Sequence, residues 1–429
     1  MHIPRVIYPD IVSELKRKET VILLGARQVG KTYLLKWLKK DLDQKKISSV
    51  FFNLEDPETL RLFNQSDEKL FYLLTHSGKV VFIDEFHYLK NASRLFKAIF
   101  DGHKKVKIYA SGSSSIEIHK HLKESLTGRR RLISVFPLSY LELKTQFGAK
   151  TADHYFQFGG LPGVARESSR QDRIRSLSDI VQAYILKDIK SLVKEENIRA
   201  FNTLLYLIAE NQGSLVNVDS LAGQIGLTAR SVQKYLDIMV HTYVLHILPS
   251  FSRNLGNELR KSKKYYLYDL GIRNALLKDF RPLKARNDKG AMMESAVFLN
   301  LIQNIQPNEE LRFWRTQDGR EVDFVLLRDR QPIPIEVKMS AAINEVPAGM
   351  RSFLSKYPEA KFGVVFTEAT EGNAYFQKIP IYYRKTDDVG VTGRRPWAVD
   401  QLTGHRPDKW QRAVTGRCPV YGRSGRNGR

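Results

Sequence analysis

The apolar positions of the chain switch repeatedly between short continuous runs and a helical stripe, and that alternation sets the expected architecture. Residues 21–24 form an uninterrupted apolar run; after a glycine-bounded segment, Leu34, Leu35, Leu38 and Leu42 recur at helical spacing. The reading is a buried strand, a loop and an amphipathic helix, with a short helix over 11–16 packed beside the strand. The order then repeats. Residues 49–54 predict a second strand ended by Glu55-Asp56-Pro57, and 59–75 a helical stretch. Residues 79–83 predict a third strand running into Asp84-Glu85, and 105–110 a fourth that ends in Ser111-Gly112-Ser113-Ser114-Ser115. Strands alternating with helices predict an α/β domain built on a parallel sheet, spanning 1–165.

Beyond that point the pattern turns helical. Ile174, Leu177, Ile180, Val181, Tyr184 and Ile185 share one face of a helix expected over 173–194, and 198–210 reads as another. Residues 218–236 read as a short helix capped near Asp219, a turn at Gly226 and a second helix from Thr228, which together make a helix-turn-helix. Extended stretches at 243–248 and 265–268 would supply a wing, so 166–285 is expected to be a helical and winged-helix domain. Over 286–384 a helix from Gly290 precedes strands at 311–315, 321–327 and 334–338, a second α/β unit. The last stretch, 385–429, is rich in Arg, Gly and Pro without apolar periodicity and is expected to be disordered. Such a tail either binds nucleic acid nonspecifically or is a translated gene-end artefact.

Composition narrows the picture in three ways. A chain of 429 residues has room for two or three domains. A net charge of +23 favours polyanionic partners, nucleic acid such as DNA being the obvious candidate, although part of the excess lies in the tail. The single cysteine, Cys418, excludes an internal disulfide and a cysteine-cluster metal site, which points to a reducing cytoplasm. No apolar run approaches a membrane span, and no secretory signal is expected at the N-terminus, so no membrane role is expected.

The candidate chemistry gathers around the first loop. Gly25-Ala26-Arg27-Gln28-Val29-Gly30-Lys31-Thr32 fits G-x-x-x-x-G-K-[ST], with the strand before it and the helix after it that a phosphate-binding loop requires. Its glycines let successive backbone N–H groups converge on one anion at the positive end of a helix. Lys31 would reach the β- and γ-phosphates of ATP and Thr32 would ligate Mg²⁺. Asp84, at the carboxyl end of the third strand, is placed to hold the same Mg²⁺, and Glu85 to polarise the attacking water as a general base. Ser113 or Ser114 at the tip of the fourth strand would sense the γ-phosphate. Arg129, within Gly128-Arg129-Arg130-Arg131, would stabilise charge in phosphoryl transfer, in cis or from a neighbouring subunit. Arg230, Ser231, Gln233 and Lys234 on the second helix of the helix-turn-helix would face a DNA major groove. Farther on, Glu336 and Lys338 sit two apart and share a sheet face, with Asp323 on the adjacent strand in reach. Glu294 on the preceding helix is a further acid.

Several of these segments occur together and in order: 25–32, 80–85, Ala110-Ser111-Gly112-Ser113-Ser114, Gly128-Arg129, Phe136-Pro137-Leu138-Ser139, Gly159-Gly160-Leu161-Pro162-Gly163 and 264–271. The set resembles the AAA-like P-loop ATPases of bacteria and archaea that carry a C-terminal domain of unknown function. The resemblance implies an extra strand between the phosphate-loop strand and the acidic strand. Asp323 followed by Glu336-Val337-Lys338 resembles the metal site of the restriction-endonuclease-like superfamily, which implies Mg²⁺ on Asp323 and Glu336, water positioned by Lys338, and Glu294 as a further ligand. The expected function is an ATPase that passes a conformational change to its C-terminal half. Two alternatives are an ATP-gated DNA nuclease and a nucleotide-dependent switch for a protein partner or a second copy of the chain.

Overall fold

The computed structural model describes residues 3–89, 91–102, 105–113, 126–185, 198–252, 263–343 and 345–386. The N-terminal sheet has five parallel strands: β1 Thr20–Gly25, β2 Ser49–Asn53, β3 Val80–Asp84, β4 Lys107–Ser113 and β5 Arg130–Ser134. Their spatial order is β2-β3-β4-β1-β5, so β4 stands between β1 and β3 as the resemblance implied. Every residue of β1 and β3 is buried because helices cover both faces. One face packs Val21, Leu23 and Phe82 on α1 (Tyr8–Ser13) and α2 (Lys31–Gln44). The other packs Ile22, Leu24, Val81 and Ile83 on α3 (Pro57–Phe63), α4 (Asp67–His76) and α5 (Ala92–Asp101).

Two elements differ from the sequence reading. The stretch expected to be one helix over 59–75 is two, because Ser66 caps α4 by accepting from Lys69 N–H. Residues 130–134 form the edge strand β5; Arg131 is exposed and Arg130 half-buried, and both pair in register with β1.

Next come α6 (Tyr140–Phe147), α7 (Thr151–Phe158), α8 (Pro162–Arg166) and α9 (Arg170–Ile180). A π-helical turn, Val181–Ile185, prolongs α9, and the rest of the helix expected to 194 lies outside the described residues. The middle region holds α10 (Ile198–Glu210), β6 (Leu215–Val216), α11 (Val218–Ile225), α12 (Ala229–His241), β7 (Leu245–Leu248), β8 (Lys263–Leu267) and α13 (Leu270–Leu277). Asn217 caps α11, Gly226 closes it in the left-handed region at φ 70°, and Thr228 caps α12. Strand β8 is the centre of a three-stranded antiparallel sheet, β6-β8-β7.

The C-terminal unit packs α14 (Lys289–Asn304) and α15 (Ala348–Lys356) on a mixed six-stranded sheet. Its strands are β9 Glu309–Arg315, β10 Glu321–Arg328, β11 Gln331–Val337, β12 Gly363–Thr367, β13 Gly372–Phe376 and β14 Ile379–Lys385, in the order β13-β14-β12-β11-β10-β9. The β9–β10 register shifts between Val322 and Val325, an irregularity that falls on Asp323. Strand β14 reaches Lys385, the residue at which the tail was expected to begin. Residues 387–429, most of the expected tail, lie outside the described residues.

Candidate functional site

The loop after β1 is shaped by close backbone approaches. A Cβ on Gly25 would lie 2.1 Å from the Val135 carbonyl oxygen, so no side chain fits there. Gln28 (φ 62°) and Gly30 (φ 96°) are left-handed, and Gly30 caps α2. Lys31 is 5% exposed and folds back over the loop, its Nζ donating to the Gly25 carbonyl at 2.9 Å and the Ala26 carbonyl at 2.8 Å. Burial lowers its pKa to about 8, against the opposing pull of Glu85 and Asp84.

Asp84 ends β3 at 3% exposure and accepts hydrogen bonds from the Ser111 hydroxyl of β4 and the Thr32 hydroxyl of α2. Burial raises its pKa, and those two hydroxyls pull it back down. Glu85 follows in the left-handed region at φ 53°, a strained conformation for a non-glycine residue, with His87 Nδ1 3.2 Å from its Oε2. A cavity of about 460 Å³ borders Gln28, Lys31, Thr32, Glu85, Pro162 and Arg166. Arg27 lines it as well, while Ala26 and Val29 are buried behind the loop.

Two arginines at this site escape sequence reasoning. Arg5 is buried and tethers three segments: Nη1 donates to the Val29 carbonyl at 2.8 Å, Nη2 to the Phe136 carbonyl at 2.7 Å, and Nε to Glu142 Oε1 at 3.1 Å. Glu142 completes a capping box with Ser139, which gives Phe136-Pro137-Leu138-Ser139 a structural reason. Arg166 reaches the cavity because Gly159-Gly160-Leu161-Pro162 turns α8 toward it, and its guanidinium lies 5.1 Å from the Tyr33 ring. An isolated Arg four residues after a proline carries no sequence signal.

Arg129 is elsewhere. It donates from Nε to Asp101 at 2.7 Å, and its carbonyl accepts from Thr20 N–H, at the start of β1. The phosphate loop is at the other end of that strand, about 17 Å away at ~3.3 Å per residue. The reading of Arg129 as a group at the γ-phosphate in cis is therefore corrected. Parallel pairing with β1 carries the basic run to the wrong end of the sheet. Ser113 ends β4 beside Gly25 in the register, its side chain and all of Ser114 being outside the described residues.

The C-terminal acids do converge, though not as expected. Asp323 Oδ2 accepts from Val337 N–H at 2.8 Å, and Glu336 Oε2 pairs with Lys338 Nζ at 2.9 Å. Glu336 is 2% exposed and lies beside the start of α15, whose Met350 N–H steadies its charge. Burial raises the pKa of both acids. Glu294 is near them, within the field of Asp323 and Lys338, but accepts from Tyr266 OH at 2.6 Å and Lys264 Nζ at 3.2 Å, while Lys264 also meets Glu321 at 2.6 Å. Burial pushes Glu294 up to about 7 and disfavours the Lys264 charge, but Glu294 and Glu321 hold the Lys264 pKa above its ordinary value. Among the described residues no three His, Cys, Asp or Glu are arranged to hold a metal ion. The expected Glu294–Asp323–Glu336 set is corrected accordingly: an ammonium group, Lys264, takes up Glu294. Asp323 and Glu336 remain together beside Lys338.

The sheet order, the loop and the Asp84 cluster define an AAA-like P-loop nucleotide-binding domain. Comparison with known proteins agrees: residues 17–144 match a family described as "AAA domain". Residues 149–283 and 289–385 match two domains of unknown function, DUF8612 and DUF4143. The uncharacterized protein Rv2008c of Mycobacterium tuberculosis is 26% identical over 82% of this chain and 77% of its own length. The uncharacterized protein MJ1544 of Methanocaldococcus jannaschii is 22% identical over 80% and 79%. Among solved structures, AMPPCP-bound DnaA from Aquifex aeolicus is 12% identical, covering 55% of this chain and 87% of that one, with a TM-score of 0.30. An ADP complex of Hsp104 from S. cerevisiae is 16% identical over 54% and 38%, with a TM-score of 0.29. At such scores the fold is argued from the strand order itself. No helix among the described residues is long and apolar enough to cross a membrane.

Proposed function

We propose that the chain is a Mg²⁺-dependent ATPase. The observation that carries this reading is the bonded set of Thr32, Asp84 and Ser111 at the carboxyl ends of the strands, beside a lysine held by two loop carbonyls. The N–H groups of 25–30 wrap the phosphates, and Lys31 exchanges its carbonyl partners for β- and γ-phosphate oxygens. Thr32 and Asp84 hold Mg²⁺, which when bound neutralises phosphate charge. Glu85, turned toward the cavity by its left-handed backbone, accepts the proton of the attacking water. Arg166 replaces Arg129 as the same-chain guanidinium for the triphosphate, Arg129 keeping a role only across a subunit boundary, and Ser113 is the proposed γ-phosphate sensor. Binding of a fluorescent ATP analogue and phosphate release test the assignment. Lys31→Ala should abolish binding, whereas Glu85→Gln should keep binding and lower kcat about 100-fold. Unchanged turnover in Glu85→Gln would refute the general-base role.

A second reading, DNA as the partner, is supported by the outer face of α12. Arg230 and Lys234 are exposed one turn apart there, whereas Ser231 bonds Thr228, and Gln233 bonds Asp237 and Tyr265. In this reading α11, α12 and the β6-β8-β7 sheet act as a winged helix. Asp323, Glu336 and Lys338 form a restriction-endonuclease-like site. Duplex DNA should then stimulate ATP hydrolysis, and Arg230→Ala with Lys234→Ala should remove the stimulation. Asp323→Ala should abolish any Mg²⁺-dependent DNA cleavage and leave ATP hydrolysis intact. Hydrolysis indifferent to DNA would favour a protein partner.

A further inference from the structure

Strand β8 touches both functional regions. At its start, Lys264 is 2% exposed and sits between Glu294 of α14 and Glu321 of β10. One turn of the pleat later, Tyr266 donates to the same Glu294 oxygen and stacks on Phe298 of α14, ring centroids 4.0 Å apart. Leu267 N–H donates to Gln212, whose amide donates to Ser295 of α14 at 2.6 Å. Just past the end of β8, Asp269 is 2% exposed and accepts from Gly160 N–H at 2.7 Å through Oδ2 and from Ile272 N–H at 3.1 Å through Oδ1.

Gly160 belongs to the segment that borders the nucleotide cavity. Its carbonyl accepts from Leu138 N–H at 2.6 Å, and Leu138 and Pro162 both line that cavity. The fit is tight on each side. A Cβ on Gly159 would lie 2.1 Å from Asp269 Oδ1, and one on Gly160 2.1 Å from the Leu138 carbonyl. Between these ends β7 pairs β8 from Lys264 to Leu267 and β6 pairs it at Lys263 and Lys264, and the three steps from Lys264 to Leu267 span about 10 Å at ~3.3 Å each.

We propose that β8 is a strut that carries nucleotide occupancy to the C-terminal acid cluster. Asp269 is its grip on the nucleotide-binding segment and Lys264 its grip on Glu294 and Glu321. Nucleotide binding that shifts Gly159-Gly160 moves the strut, because the buried Asp269 carboxylate, two residues past the strand end, holds Gly160 N–H. At the far end the ammonium group moves relative to two carboxylates, Glu294, which also accepts from Tyr266 OH, and Glu321, which also pairs with Arg315 at 2.7 Å, so the charge balance of the cluster changes with its position. Lys264 is thus a positioning residue that governs how far the acid cluster is neutralised. The inference rests on the ATP-binding reading above.

Amide hydrogen exchange on the full chain, with and without Mg²⁺ and AMPPCP, tests it. Protection at 25–32 reports nucleotide binding itself; its absence would overturn the ATP reading rather than the strut. With that protection present, exchange at 290–300 and 318–326 should change about fivefold or more, the lower end of ordinary coupling between sites. No change there would overturn the proposal. Asp269→Asn keeps an acceptor to cap α13 but turns an amide toward Gly160 N–H, so it should sever the response at 290–300 and 318–326 while leaving protection at 25–32. Lys264→Met, which leaves the nucleotide segment untouched, should do the same. A response that survives both substitutions would show that the signal takes another route.

Discussion

Lys31 shows how one side chain couples burial to chemistry. With its pKa lowered to about 8, it is charged below that pH and progressively neutral above it. A phosphate ligand needs the charged form, so nucleotide affinity should hold at pH 7 and weaken as pH rises through about 8. Titrating a fluorescent ATP analogue from pH 6.5 to 9.5 measures this; an affinity flat across that range would contradict it. The stability contribution has the opposite sense. Because the folded pKa lies below the unfolded one, the unfolded chain binds more protons between about 8 and 10.5, and this lysine's contribution to stability rises with pH through that window. Gly25 makes a second residue-scale case. Gly25→Ala would place a methyl 2.1 Å from the Val135 oxygen, and the strand end must move to accept it. Loss of nucleotide binding together with a lowered Tm in a thermal melt is the expected result.

At the scale of elements, the phosphate loop is held by a tether that no local motif announces. Arg5 joins Val29, Phe136 and the capping box of α6, and its partner Glu142 is buried and also accepts from Val6 N–H. Arg5→Ala leaves that carboxylate buried without its cation, a change that costs about 3–5 kcal/mol when a buried pair is broken. Urea unfolding should report a loss of that order, and the KM for ATP should rise because Val29 is released. A loss within about 0.5 kcal/mol, ordinary for a surface substitution, would refute the tether. The strands β1 and β3 were legible because each is a continuous apolar run ended by its functional group. Strand β5 was not, since an edge strand facing solvent can be built from arginines, and its pairing partner is 110 residues earlier in the register.

For the whole molecule, the described structure ends within a residue of β14, and Tyr383 itself is buried in the C-terminal core. Because the composition of 387–429, rich in Arg and Gly without apolar periodicity, offers no core, a chain ending after Thr386 should melt at the same temperature as the full chain and hydrolyse ATP at the same rate. Ending it at Tyr383 instead removes Arg384, whose guanidinium donates to the Gly372 and Tyr383 carbonyls, and should lower the Tm. Circular dichroism melts of the two truncated chains distinguish these outcomes. Any nucleic-acid binding lost with the tail alone would be nonspecific, since Arg/Gly segments bind through phosphate charge.

The local sequence by itself determined the phosphate loop, the acidic strand end, the caps at Ser139 and Thr228 and the Glu336–Lys338 spacing, because each depends on neighbours a few residues apart. Tertiary structure decided which candidates meet. Parallel pairing sent Arg129 to the far end of β1, the turn at Gly159-Gly160 brought Arg166 to the cavity, and a lysine from β8 claimed Glu294. Those outcomes depend on which segments lie side by side, and charge exerts its force through space, so a sequence pattern records the groups but not the company they keep.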